Sequence, residues 1–317
     1  MKLRAGWVRV ARMTGQALLT LTSIVVLVFL LVRIIPGDPV KVILGVEYTE
    51  EKAQVLRSEL NLDKSIPEQF GSYIAGLFRG DLGESTAQRG RSVADIIFEA
   101  LPTTMSIVLT GIVIGVVIGV ALGLLAAISN RRGVDLAVRT WGMLSFSVPT
   151  FLAALLLIYV FSLTLGWLPA GGWPNRWPEN FAYLLLPGIA LSSHLATTTA
   201  RTVRQGALDA KGQQYLEAAL ARGLPQGVLN FRHILPNSIL PVLTLVGISF
   251  GTLLTGAIIV EAVFGIPGIG SEMTRAVGRR DYPVVQGIAL LTGVTVVLSS
   301  YLVEIAYTFV DPRARTL

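Results

Sequence analysis

The sequence predicts an all-α membrane protein with six transmembrane helices, an external insertion between spans one and two, and a cytoplasmic helical loop between spans four and five. Three observations carry that prediction. Hydrophobic residues make up 52% of the 317 residues and charged residues only 15%, and the mean hydropathy of +0.65 lies outside the soluble globular range. Six stretches free of Asp, Glu, Lys and Arg are long enough to cross a hydrocarbon core, which takes about 20 apolar residues. They are Met13–Val32, Ala100–Asn130, Thr140–Asn175, Asn180–Ala200, His233–Val260 and Tyr282–Val303. The third observation is a polar interlude, Arg201–Pro236, wedged between the fourth and fifth of these.

The first run is long for a secretory h-region, and the following Ile34-Ile35-Pro36-Gly37-Asp38-Pro39 holds no small-residue cleavage site, so it reads as an uncleaved first span. Residues 33–99 form the external insertion of an otherwise single membrane domain, 1–317. Within it Thr49–Leu60 has a capping residue, early acids and later bases, which predicts a short helix. Pro67–Leu77 predicts another, with Phe70, Tyr73, Ile74 and Leu77 on one side. The insertion reads either as a small cap at the outer mouth or as a loop held only by its neighbours.

In span two, Gly111, Gly115, Gly119 and Gly123 recur every four residues, a ladder that admits a second helix at close range. The ladder suits static packing and a sliding surface alike. Pro149 and Pro187 are candidate kinks in spans three and four, because proline removes a helix hydrogen bond. Ser145, Ser147, Thr150, Ser192, Ser193 and Thr197–Thr199 supply uncharged polar groups, for a wet path or for interhelical hydrogen bonds. His194 lies mid-span, where an ionisable group is a functional candidate by default; it faces either a pathway or a satisfying neighbour. Arg201 and Arg204 end span four, within reach of the headgroups.

In the interlude, Tyr215, Leu216, Ala219, Leu220, Gly223 and Leu224 line one face of a helix. Gly223 with Pro225 is a helix stop, and a second short helix is predicted over Gln226–His233, ended by Leu235-Pro236. Ala218 and Ala219 keep the surface low, and Glu217 is placed to pair with a cation. The surface suits a partner's close approach; an amphipathic loop lying on headgroups is the other reading. Span five repeats the small-residue signal weakly at Gly247, Gly251 and Gly256 and ends at Glu261, a candidate gate or external contact. Glu304, near the inner end of span six, is placed to pair with a span-four arginine.

Orientation follows from the basic residues, which concentrate on the cytoplasmic side. Fourteen lie in the termini, the loop at 131–139 and the interlude, whereas the short loops opposite hold Arg176, Arg275, Arg279 and Arg280. Both termini are therefore predicted cytoplasmic, and the net charge of +6 is a topology signal, with no bearing on nucleic acid. With no cysteine, disulfides and thiolate metal sites are excluded.

Glu217-Ala218-Ala219, three residues, Gly223, eleven residues, then Leu235-Pro236 resembles the EAA loop of permease subunits from ABC-type importers. Further motifs sharpen the resemblance over nearly the whole chain: Arg33-Ile34-Ile35-Pro36-Gly37-Asp38-Pro39, Gly80-Asp81-Leu82-Gly83 with Ser85, and Pro102-Thr103. Later come Glu261-Ala262-Val263-Phe264-Gly265-Ile266-Pro267-Gly268-Ile269-Gly270, Arg280-Asp281-Tyr282-Pro283, and Asp311-Pro312-Arg313 with Arg315. Together these look like the B-type permease of dipeptide, oligopeptide and nickel importers. His233 departs from the general consensus, which prefers an aliphatic residue there.

The resemblance implies a half-channel in a bacterial plasma (inner) membrane, paired with a C-type permease, two cytoplasmic ATPases and an external solute-binding protein. It implies that residues 205–236 are the coupling loop, with Tyr215, Glu217, Ala218, Ala219, Gly223 and Leu224 meeting the ATPases. His194, Ser192, Ser193 and Glu261 are the pathway or gate candidates, and Gly111, Gly115, Gly119 and Gly123 the packing set. Peptides are the expected solute, with nickel chelates or glutathione-like molecules next. No cofactor is expected in the chain itself, since no G-x-x-x-x-G-K-[ST] loop is present; ATP and magnesium belong to partner subunits. Two rivals are a self-contained transporter, which needs no docking loop, and an intramembrane enzyme. The second lacks H-E-x-x-H and any acidic pair within the spans.

Overall fold

Inside hydrocarbon a backbone must satisfy its own N–H and C=O groups, and an apolar chain does so most simply as helix. The structure is a computed structural model that describes residues 2–34, 40, 44–45, 48–59, 63–88, 90–129, 132–174, 176–214, 216 and 221–310. Among these the sheet-like pairing is one isolated bridge between Glu84 and Ser92. The helices in chain order are α1 (Lys2–Ile34), α2 (Glu50–Glu59), α3 (Ile66–Phe78), α4 (Val93–Ile128), α5 (Arg132–Ser147), α6 (Thr150–Leu157), α7 (Asn180–Lys211), α8 (Leu235–Phe264), α9 (Ile269–Arg279) and α10 (Tyr282–Val310). By length and composition α1, α4, α7, α8 and α10 suffice to cross a membrane, and α5 with α6 makes a sixth span if that bent pair is counted as one.

The bend is 108° and falls at Val148–Pro149. Proline lacks the N–H that would continue the ladder and pushes the residue before it out of the α region, so the helix stops there. Pro187, the other predicted kink, lies inside α7, which continues through it. The helices also outrun the charge-free stretches. α4 begins at Val93, capped by the Ser92 hydroxyl, which accepts from the Ala94 N–H at 3.1 Å, and carries Asp95 in its first turn. An acid is favourable against the positive end of a helix, so the first charge is not the boundary. Leu235-Pro236 opens α8 where the sequence suggested a stop: proline at a first turn gives up an N–H that has no helical partner anyway.

Buried apolar residues form three clusters. The middle one joins α4, α6, α7 and α8, including Ile107, Ala154, Leu191, Leu195 and Ala257. A second joins the start of α4 to α9 and the start of α10, and the third gathers Ala127, Ala207, Ala210, Leu216, Leu229 and Ile234 at the other end of α4 and α7. The glycine ladder explains the closeness of α4 and α7. A Cβ on Gly111 would stand 3.4 Å from Leu191, on Gly115 3.1 Å from Leu195, on Gly119 2.5 Å from Thr199 and on Gly123 2.8 Å from Val203. The facing residue rises in step with the glycine, so the two helices run parallel and approach towards their C-terminal ends. Gly247 and Gly251 of α8 face Val303 and Val296 of α10, an antiparallel pair.

Thr199 belongs to that tight contact, and its buried hydroxyl has no hydrogen-bond partner among the described residues. Thr199→Val keeps the shape and removes the orphaned group, so it should leave stability unchanged or raise it by up to about 1 kcal/mol. Thermal unfolding of the purified protein in detergent measures this, and a clear loss would mean that the hydroxyl has a partner in the assembly.

Near the C-terminal end of α1, Phe29 packs its ring against Phe70 and Tyr73 of α3 at 5.0 and 5.6 Å, which seats residues 66–78 on the first span. At the opposite end of α1, the Thr14 hydroxyl lies 2.7 Å from that of Tyr301 in α10. Both predicted insertion helices are present as α2 and α3. The motif segments 35–39 and 311–317 lie outside the described residues.

Candidate functional site

The loop after α7 is built outward from a buried base. Ala207 and Ala210 on α7 and Ala127 at the end of α4 receive Leu216, Leu229 and Ile234 from the loop. Lys211 ties the two helix ends together, its Nζ donating to the Ala127 carbonyl at 2.6 Å. Gly223 has φ +76°, a left-handed conformation that costs a side-chain-bearing residue about 1 kcal/mol. Beyond it the predicted second helix is a single turn, Gln226–Val228, that widens into a π-helical segment, Leu229–Ile234, continuous with α8. Leu224 is exposed and Phe231 is 70% exposed, so the loop presents an apolar surface on a well-anchored base. Tyr215, Glu217, Ala218 and Ala219 lie outside the described residues.

On α7 the candidates separate by face. Ser192 is buried and donates to the Ile189 carbonyl at 2.9 Å; Ser193 donates to the Ala190 carbonyl at 3.2 Å. Both hydroxyls are thus used within their own helix. His194 is exposed on the other face, with its ring edge-on to that of Phe146 in α5 at 4.2 Å between centroids. Two turns on, the Arg201 guanidinium stands 5.0 Å from the centroid of the same Phe146 ring. Beside it Asp135 of α5 accepts from Arg204 at 2.6 and 3.2 Å and pairs with Arg139 at 2.7 Å. Between α5 and α7 lies a cleft of about 340 Å³, its walls including Arg139, Trp141, Met143, Thr197, Arg201 and Arg204. The sequence alone did not join Phe146, Trp141 and Asp135 to this face; their partners on α7 lie some fifty to seventy residues away.

Glu261 is fully buried. It accepts from the Thr104 hydroxyl at 2.6 Å, the Gly270 N–H at 2.7 Å and the Ser271 N–H at 3.3 Å, while Thr104 Oγ1 accepts the Ile269 N–H at 2.9 Å. One carboxyl group therefore holds the start of α9 against α4 and the end of α8. The orphan N–H groups of a helix start and its positive dipole end are what such a group satisfies. A second buried acid, Asp281, does similar work just before α10: it accepts from the Ser85 hydroxyl, the Thr86 N–H at 3.1 Å and the Ala87 N–H at 3.2 Å. That joins the Gly80-Asp81-Leu82-Gly83 and Arg280-Asp281-Tyr282-Pro283 motifs in space. Among the described residues no cluster of His, Asp and Glu is arranged to hold a metal ion.

Residues 119–316 match the family model described as binding-protein-dependent transport system inner membrane component, and residues 8–108 match the model for the N-terminal part of such components. Among curated proteins, the glutathione transport system permease protein GsiC of Escherichia coli K12 is 36% identical over 296 residues, covering 93% of this chain and 95% of that protein. The probable peptide ABC transporter permease protein y4tP of Sinorhizobium fredii is 34% identical over 314 residues, covering 97% and 99%. The fold is similar to that of the MetNI methionine ABC transporter in its inward-facing conformations, with TM-score 0.51 and 22% identity over 70% of this chain and 97% of that one. An amino acid ABC transporter crystallised with histidines gives TM-score 0.50 and 20% identity over 67% and 92%.

Proposed function

The chain belongs to the family of binding-protein-dependent transport system inner membrane components, a permease subunit of an ABC importer, and from that premise we propose that it forms half of a translocation pathway for peptides. It is a multi-pass inner-membrane transport component. Dipeptides or oligopeptides are the proposed solutes, with glutathione-like molecules and nickel chelates next; the names of the peptide and glutathione permeases it is similar to support the first two. A C-type permease completes the pathway, two cytoplasmic ATPases bind ATP and magnesium and hydrolyse the nucleotide, and an external binding protein delivers the solute. Both termini face the cytoplasm, and residues 205–236 couple the ATPases to the spans.

The observation that carries the coupling role is the anchored apolar surface after α7. Leu224 and Phe231 stand exposed, whereas Leu216, Leu229 and Ile234 beneath them are buried against α4 and α7. A push on this surface is passed to two packed spans and to α8, which continues from it without a break. Coupling then requires that the two nucleotide states of the ATPases contact the loop with different free energies.

The test is to purify the tagged chain in mild detergent beside Glu217→Lys and Gly223→Pro. Proline at φ +76° is excluded by its own ring, and the lysine reverses a charge outside the bilayer. Both variants should insert normally, lose the ATPases from the purified complex and uncouple hydrolysis from uptake. Transport at the parental rate by either variant would refute the docking assignment. A parent chain that stays alone under several gentle extractions favours a self-contained transporter.

A further inference from the structure

We infer that the cleft between α5 and α7 is a station for a carboxylate of the passing solute, held by Arg201; this rests on the function proposed above. His194, Thr198, Arg201 and Gln205 stand at i, i+4, i+7 and i+11, one face of α7, and all but the half-buried Thr198 are exposed. The opposite face, with Leu195, Thr199 and Val203, is buried against α4. Ionisable groups within spans are costly against lipid and face water-filled cavities or protein. The polar face of the most enclosed span therefore suits an aqueous path better than hydrocarbon.

The charges around the cleft do not balance. Arg139 and Arg204 share the single carboxylate of Asp135. Among the described residues no acid lies within ion-pair range of Arg201, whose recorded contact is with the Phe146 ring. A guanidinium over an aromatic face keeps its outward N–H groups free for a planar partner, and a carboxylate matches that fork with two parallel hydrogen bonds. Trp141 and Met143 give the same cleft apolar wall. A bound peptide could lay its terminal carboxylate on Arg201 and an apolar side chain on that wall. His194, on the far edge of Phe146, stands two turns deeper along the face. The site selects for solutes with an acidic end, and it acts after the binding protein has made its own choice.

The experiment uses the whole importer, permeases with ATPases and binding protein, in liposomes. Uptake of trialanine, trialanine amide, glutathione and glutathione amidated at both carboxyl groups is compared for the parent, Arg201→Gln and Arg201→Lys. Comparing each probe between permease variants cancels the binding protein's preference. Arg201→Gln should reduce uptake of the acids roughly tenfold at subsaturating concentration and leave that of the amides within about twofold, with partial recovery in Arg201→Lys. Equal loss on acids and amides would overturn the inference and make Arg201 a structural residue. An unchanged acid-to-amide ratio would overturn it, and in favour of a lipid headgroup site if uptake by the parent rises with the phosphatidylglycerol content of the liposomes and that by Arg201→Gln does not. A parent complex that imports none of the four probes refutes the peptide reading and removes this inference with it.

Discussion

Alanine substitutions along the ladder of α4 should destabilise the protein in a graded order, with Gly119 and Gly123 costing most and Gly111 least. At Gly119 the new methyl would lie 2.5 Å from Thr199 Cβ and 2.7 Å from the Ala196 carbonyl oxygen; at Gly123 it would lie 2.6 Å from the Ala200 carbonyl oxygen and 2.8 Å from Val203 Cβ. Those obstacles are backbone atoms or the stiff branch points of β-branched side chains. Relief requires moving α7, and overpacking of that kind costs about 1–3 kcal/mol. At Gly115 the neighbour is the Leu195 side chain at 3.1 Å, and at Gly111 the Leu191 side chain at 3.4 Å is in ordinary contact. The Gly111 variant should be near neutral, since alanine also has the better helix propensity. Leucine at Gly119 or Gly123 should prevent accumulation of folded protein altogether. Unfolding midpoints of the four alanine variants in one detergent check the order. A flat series would show that α4 and α7 touch less closely than these distances require, and a reversed one would place the approach nearer the N-terminal ends of the two helices.

The ladder was legible as a close-packing surface, but its partner was not. A four-residue repeat of glycine says that something approaches; that it is α7, in parallel and at constant register, depends on a contact eighty residues away. The membrane spans were legible because water-free surroundings leave so little choice: apolar runs of sufficient length must be helical. Their ends were misplaced where a charge serves the helix, as Asp95 does in the first turn of α4. The bend at Pro149 followed from covalent chemistry, whereas Pro187 shows that a surrounding bundle can carry a helix through a proline. Helix α9 was missed altogether. Only Ile269 and Gly270 of it belong to a motif and the rest reads as a short loop, because the groups that hold its start, Glu261 and the distant Thr104, meet there only in the fold. For the hydroxyls of Ser192 and Ser193, sequence could offer only two roles, and geometry shows both spent on their own backbone. The pairing of Arg201 with Phe146 and the monopoly of Arg139 and Arg204 on Asp135 are likewise tertiary facts.

Glu261→Ala should be the most damaging single substitution where α8, α9 and the first part of α4 meet. It removes the acceptor of three buried donors, the Thr104 hydroxyl and the N–H groups of Gly270 and Ser271, and opens a cavity at a fully buried site. Buried donors left unpaired cost about 1–3 kcal/mol each, and breaking a buried charged network typically costs about 3–5 kcal/mol in all. Glu261→Gln keeps the shape and one acceptor, so its loss should be less than half as large. Two neighbouring glycines turn this into a test of geometry. The atoms nearest to a Cβ on Gly268 all belong to the Glu261 carboxyl group, whereas a Cβ on Gly270 would meet the backbone of Ile258 first. Gly268→Ala should therefore be severe in the parent and much milder in the Glu261→Ala background, a strongly non-additive pair. Gly270→Ala should remain severe in both, because Ile258 Cα does not move when the carboxyl group is removed. Unfolding midpoints of the six proteins in detergent measure both cycles. If Gly268→Ala and Glu261→Ala simply add, the carboxyl group does not sit over the start of α9. Glu261 would then be free to turn towards the outer mouth, where a role in gating would explain it better than the anchoring of α9.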